Sequence, residues 1–373
     1  MSLAYTPGLK RKEYYLLRKT RTLPLQGEVI VKVGDRVEGA QTVAVTKMPG
    51  NPRVINVCIP LNCDPEDMPR YMLKKEGDPV SKGEIIARKK FLWLKREYAS
   101  ECDGTLELIM QTSGQIVVRE PEIPIELKAF IPGRVAAVIP NQGVVIESPA
   151  AFIQGIFGIG GETSGILETV VNSEDEIVTE EHIRPEHSGR VLVGGSLVTE
   201  KVLRKAVEIG VRGIIVGGIE DKDLRDFLGY EIGVAITGHE NAGLTLIITE
   251  GFGKMSMARA SFELLRKHSG EVAYINGATQ IRAGVIRPEI IIPLREASYT
   301  EAGEDKISLE GMTVGMPVRI IEAPFFGMLG KIASLPVELQ KLETESYARV
   351  LEVELLDGRR VTVARANVEI IEE

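Results

Sequence analysis

Residues 77–108, GDPVSKGEIIARKKFLWLKREYASECDGTLEL, decide how the first third of this chain is read. Gly77-Asp78 is a tight-turn dipeptide, because glycine tolerates left-handed backbone and aspartate hydrogen-bonds its own main chain. Val80, Ile85 and Ile86 fall at buried strand positions, and Asp103-Gly104 opens a returning strand. The stretch predicts a hairpin whose tip lies at Trp93, ten residues on from Gly83 and ten back from Asp103. Upstream, VGDRVEGAQTVAV (33–45) repeats the pattern of EGDPVSKGEIIAR (76–88), with its second glycine, Gly39, one place earlier than Gly83. Downstream, AFIPGRVAAVIPNQGVVIES (129–148) continues the short strands and Gly/Pro turns. Residues 24–150 are therefore expected to form one all-β unit.

The paired GDxV half-motifs resemble those of biotinyl/lipoyl-like barrel-sandwich hybrid domains, as in RnfC-type redox subunits and biotin carriers. In the carriers a lysine at the hairpin tip holds the cofactor. Here that place holds Trp93, an amphipathic residue suited to covering a surface. Lys47-Met48 resembles the lysine–methionine of biotin sites, but its spacing from Gly34 is three residues short and Pro49 follows. The resemblance thus implies a carrier-like fold, and no cofactor is expected.

Beyond residue 150 the composition changes. QGIFGIGGETSG (154–165) is Gly-rich and SEDEIVTEEHIRPEHSG (173–189) acidic, so 151–188 reads as a linker. From 189 to 295 apolar runs alternate with helical patterns, which predicts an α/β layer domain with a largely parallel sheet. The strands are 190–198, 211–219, 234–238 and 244–253, followed by 272–294. The helices are 199–210 (Thr199 start, Gly210 stop), 221–229, and 256–270 capped by Ser256. Ligands of open α/β sheets bind beyond the strand C-termini. Gly194-Gly195, Gly217-Gly218, His239-Glu240 and Glu250-Gly251-Phe252-Gly253 fall there. Their backbone N–H groups are candidates for holding an anion, and His239 is an acid–base candidate beside Glu240. Tight strand-to-helix turns account for the same glycines without any ligand. No GxGxxG, P-loop, GxSxG, HExxH or CxxC pattern occurs.

Residues 308–373 are again strand-like. GMPVRIIEAPFFGMLGKIASLP (315–336) followed by VLEVELLDGRRVTVARANVEII (350–371) resembles a KOW module of the SH3-like barrel class, found in NusG-type transcription factors and some ribosomal proteins. Gly315, Val318, Pro324, Phe325, Gly327, Gly330, Ile332, Asp357-Gly358 and Asn367-Val368-Glu369 carry the likeness. It implies contact with nucleic acid or RNA polymerase, with Arg319, Pro324, Phe325, Phe326 and Gly327 as candidate contact residues. The segment carries seven Lys/Arg against eleven acids, a formal charge of −4. Phosphate binding wants the opposite sign, so a protein partner is favoured over nucleic acid.

The chain has 373 residues, 44% hydrophobic and 26% charged, with a formal charge of −8. These values give no whole-chain case for nucleic acid binding. A basic cluster at 1–23 (Lys10, Arg11, Lys12, Arg18, Lys19, Arg21) reads as a solvated arm, with lipid, nucleic acid or partner contact as alternatives. No apolar run approaches the ~20 residues of a membrane span, and no signal-peptide pattern is present. Three cysteines, Cys58, Cys63 and Cys102, fit a reducing cytoplasm and read as ordinary buried thiols; no metal site is expected. The sequence predicts a multidomain α+β protein, non-enzymatic and cytoplasmic, that docks protein partners, with self-association open to its edge strands. The alternative is an enzyme or redox accessory subunit that binds a small anion at the Gly-rich strand ends.

Overall fold

The computed structural model describes residues 9–91, 94–230, 242–279, 286–294, 299, 312–320, 325, 328–336, 339–341, 347–355 and 358–372. Strand outweighs helix, and no helix among the described residues is long and apolar enough to cross a membrane. The chain divides into two compact units. The smaller comprises Thr20–Ala129 with Arg134–Ile146, and the larger comprises Met1–Lys19, Phe130–Gly133 and Glu147–Glu373.

In the smaller unit the sequence repeat is a repeat of hydrogen bonds. Gly34 and Gly77 both turn the chain with positive φ, +93° and +91°. Just before each, a lysine N–H donates to the aspartate just after it: Lys32 to Asp35 Oδ2 (2.8 Å) and Lys75 to Asp78 Oδ2 (2.7 Å). One turn later, Glu38 N–H donates to Gln41 Oε1 and Ser81 N–H to Glu84 Oε2. The glycine N–H groups reach the equivalent partners Val135 O and Leu106 O.

The hairpins that follow correspond residue for residue. Thr42–Met48 pairs antiparallel with Ile123–Lys128, and Ile85–Phe91 pairs with Leu94–Ala99. Each ladder skips one residue at the same place, Val43 in the first and Ile86 in the second, and both are fully buried. A bulge of this kind bends the strand and turns its odd side chain into the core. The second hairpin closes with Phe91 opposite Leu94; the first has Met48 opposite Ile123, so residues 49–122, the second copy included, are inserted at its tip. Trp93 lies outside the described residues.

The larger unit contains a mixed sheet. Gly143–Gln154 pairs antiparallel with Glu289–Pro293, which pairs with Val272–Asn276, which pairs with Glu162–Thr169. From there the pairing turns parallel through Arg190–Val193, Gly213–Ile219 and Thr245–Phe252. Thr245–Phe252 then pairs antiparallel with Phe157–Ile159, the continuation of the first strand, so the hydrogen-bonded path returns to its start. Helices Glu200–Ile209, Asp221–Leu228 and Arg259–Lys267 follow the parallel strands, and Leu203, Leu224 and Leu265 pack on the core. Every residue of Gly213–Ile219 is buried, as a strand covered on both faces requires.

Four expectations change here. The sheet is mixed, because only the strands joined through helices run parallel. The expected linker at 151–188 supplies two of its strands, Phe157–Ile159 and Glu162–Thr169. Its glycines serve close approach: a Cβ on Gly158 would lie 2.7 Å from Gly277 O. The basic arm at 1–23 is mostly the strand Leu9–Thr22, its cations held by acids such as Glu289 (Lys19) and Glu147 (Arg18). Ser256 does not cap the last helix, which begins after Ala258. The expected strand 234–238 lies outside the described residues. C-terminal strands Pro317–Ile320, Leu329–Ser334, Tyr347–Leu355, Arg360–Ala364 and Val368–Glu372 pair antiparallel around Val318, Ile332, Leu351, Val353 and Val368.

If the two hairpins of the smaller unit are true equivalents, truncating the bulged residue should destabilise both. Ile86→Ala is expected to cost roughly 2–5 kcal/mol, and Val43→Ala somewhat less because a smaller side chain is lost. Urea unfolding of the full chain measures both.

Candidate functional site

Gly194-Gly195, Gly217-Gly218 and Gly251 with Gly253 come together at the C-terminal ends of the three parallel strands, as the sequence reading requires. Their backbone groups face each other. Gly194 N–H donates to Ile215 O, Gly217 N–H to Gly195 O and Gly253 N–H to Ile219 O, all at 2.8 Å. Main chain packs closely against two of them. A Cβ on Gly217 would lie 2.0 Å from Met255 O, and one on Gly195 2.3 Å from Glu176 O. The segment 253–257 passes close to these turns, fixed by Met255 N–H to Ser196 O and Met257 N–H to Glu174 O. His239 and Glu240 lie outside the described residues.

Glu250 does meet a functional group, and it is one the sequence assigns to another domain. Its Oε2 accepts from Arg319 Nη1 at 3.1 Å, and its Oε1 accepts the N–H of Ala258, at the start of helix Arg259–Lys267, at 2.9 Å. Arg319 Nη1 also reaches Glu250 O at 3.3 Å. The two side chains are 3% and 11% exposed. One carboxylate thus ties the end of a sheet strand, the head of a helix and the strand Pro317–Ile320. Arg319 was expected to face a partner; it faces inward against the Glu250 carboxylate, which answers its buried charge. Phe325 packs against the core of the C-terminal strands. Pro324, Phe326 and Gly327 lie outside the described residues.

A cavity of about 220 Å³ opens beside this pair. Lys10, Arg11, Arg319 and Lys331 line it with Glu250 and Gln154, among walls that are mostly apolar. Sequence reasoning missed this site because its cations are drawn from segments hundreds of residues apart. Lys10 and Arg11 carried a signal only as a terminal basic cluster.

The two histidines of the acidic stretch close tandem single-turn helices. Thr179 N–H donates to His182 Nδ1 (3.0 Å) and Arg184 N–H to His187 Nδ1 (3.2 Å). An accepting Nδ1 places the proton of neutral His187 on Nε2. That atom is buried and 3.6 Å from Glu168 Oε1, too far for a hydrogen bond. Burial is the largest influence on His187 and pushes its pKa below the ordinary 6.5. Lys47 stands on a strand opposite Pro124, exposed and 3.2 Å from Glu122.

Two outcomes follow from this geometry. Replacing Glu250 by alanine strands a buried guanidinium and is expected to cost about 3–5 kcal/mol, measured by denaturant unfolding. Arg319→Met should cost less, since the carboxylate keeps its bond to Ala258. For His187, the unfolded chain takes up a proton near pH 6.5 while the folded chain resists until lower pH. Its contribution therefore makes stability fall as pH drops below 6.5. Unfolding curves from pH 7.5 to 5 should show that slope, and His187→Gln should flatten it.

No protein-family model matches the chain, and no curated protein matches it.

Proposed function

We propose that this chain is a non-enzymatic docking protein that holds a protein partner on the outer face of its smaller unit. One observation carries the reading. In the sheet formed by Pro52–Asn56, Gln115–Arg119 and Gly104–Met110, Val54, Val117 and Leu108 stand side by side across three strands. Val54 is 59% and Leu108 45% exposed. The cross-strand pair Met48 and Ile123 is exposed too. Of the fourteen exposed large hydrophobic residues among those described, nine belong to this unit, the smaller of the two. Apolar residues in register on a strand face leave water gainfully only when another apolar surface covers them. The occupant that fits is a protein with an apolar patch. The KOW-like segment directs the search for it toward transcription and translation machinery, and the −4 charge of 308–373 favours protein over nucleic acid there.

The cation-lined cavity favours a second reading, a small phosphate- or carboxylate-bearing ligand held beside Arg319. The glycine strand ends named in the sequence, Glu250 apart, do not line this cavity. Thermal shift with inorganic phosphate and simple nucleotides separates it from the docking reading; no stabilisation by any anion removes it.

The docking reading is tested with a Val54→Asp/Leu108→Asp variant whose circular dichroism matches wild type. Tagged wild-type protein should retain a reproducible set of partners from native lysate, and the variant should lose it. Identical recoveries would remove the sheet face from consideration. Light scattering of both proteins shows whether a second copy is the occupant.

A further inference from the structure

We propose that Cys58 and Cys63 form a redox-active dithiol that exchanges with low-molecular-weight disulfides and closes to an intramolecular disulfide. The chain from 58 to 63 is one helical turn, Cys58–Leu61, ended by Asn62 in the left-handed conformation (φ 49°, ψ 63°). Cys63 N–H donates to Cys58 O at 3.2 Å and Asn62 N–H to Ile59 O at 3.2 Å. That pair of bonds is the Schellman ending, in which the residues three before the cap and two after it are brought into side-chain contact. An apolar pair usually fills those two places. Here two thiols fill them, with Sγ atoms 3.2 Å apart and the Cys63 S–H directed at Cys58. A disulfide needs about 2.05 Å, so the sulfurs have roughly 1 Å to travel. The main-chain bonds already hold their Cα atoms together.

The two thiols differ in a way that assigns their roles. Cys63 is partly exposed on a surface turn beside the exposed Ile59 and Asn62. Cys58 is buried, and burial first, with the contact from Cys63 second, pushes its thiol up to about 11. Cys63 is therefore the attacking group. As thiolate it attacks one sulfur of a small disulfide RSSR, forming a mixed disulfide and releasing RS⁻. Cys58, whose sulfur lies against that of Cys63, then gives up its proton and attacks the Cys63 sulfur, expelling the second RS⁻. The protein loses two protons and two electrons, and the small disulfide becomes two RSH. Cys102 belongs to the same apolar cluster but stands outside the turn.

The test uses the folded full-length protein, glutathione disulfide as oxidant, alkylation to trap remaining thiols, and intact mass with peptide mapping. The expected result is a loss of about 2 Da, protection of Cys58 and Cys63 from alkylation, an alkylated Cys102, and reversal by dithiothreitol. Cys102→Ser should behave as wild type, and Cys63→Ser should not lose mass. A glutathione adduct that persists on Cys63 would overturn the proposal. So would a bond to Cys102, or a Cys58 and Cys63 that both alkylate as free thiols.

Discussion

A charge taken out of water must be answered where it stands, and in the larger unit one carboxylate sets that condition. Glu250 leaves the end of a buried parallel strand, where desolvating a lone acid would cost several kcal/mol. It is answered from two sides, by the N–H of Ala258 and by Arg319. The first bond fixes where helix Arg259–Lys267 begins. The second commits the strand Pro317–Ile320 to a single register with its inward cation. Around them the segment 253–257 is drawn across the strand ends, and the glycines there accept main chain at distances no side chain would permit. A cavity that Lys10, Arg11, Arg319 and Lys331 help to line lies to one side.

This division explains what was legible in the sequence. Helix limits at Gly210 and Gly229 were readable because a left-handed stop favours glycine, and both adopt it. The near-repeat at 33–45 and 76–88 was readable because its turns use the same Lys-x-Gly-Asp chemistry. Glycines in 154–165 misled, since flexibility and close strand packing both call for a missing Cβ, and only the neighbour across the sheet tells them apart. Glu250 and Arg319 were both singled out, yet as parts of separate domains. Nothing local in sequence couples a strand-end acid to an arginine 69 residues later. Ser256 resembled a cap because serine favours that place, but the Glu250 side chain serves the helix start instead.

The smaller unit shows the same economy of chemistry with a different outcome. Its two copies share turn bonds, a bulge and buried Val43 and Ile86, so they solve one packing problem twice. The surfaces have diverged around that common core. The tip of the first hairpin is the point of insertion for the second copy, and Lys47 is held beside Glu122 on the strand below it.

That insertion bears on how the unit can assemble. The ladder through Met48 and Ile123 passes into the next one through Asn51, which accepts from Glu120 N–H, and Pro52 opposite Arg119. Pairing Ile85 with Ala99 closes a short loop, whereas Lys128 reaching Thr42 spans 86 residues. Closing the long loop around disordered chain carries the larger entropic cost, and a folded inner copy brings residues 49 and 122 together in advance. The outer copy is, in thermodynamic terms, a hairpin whose turn is itself a folded body.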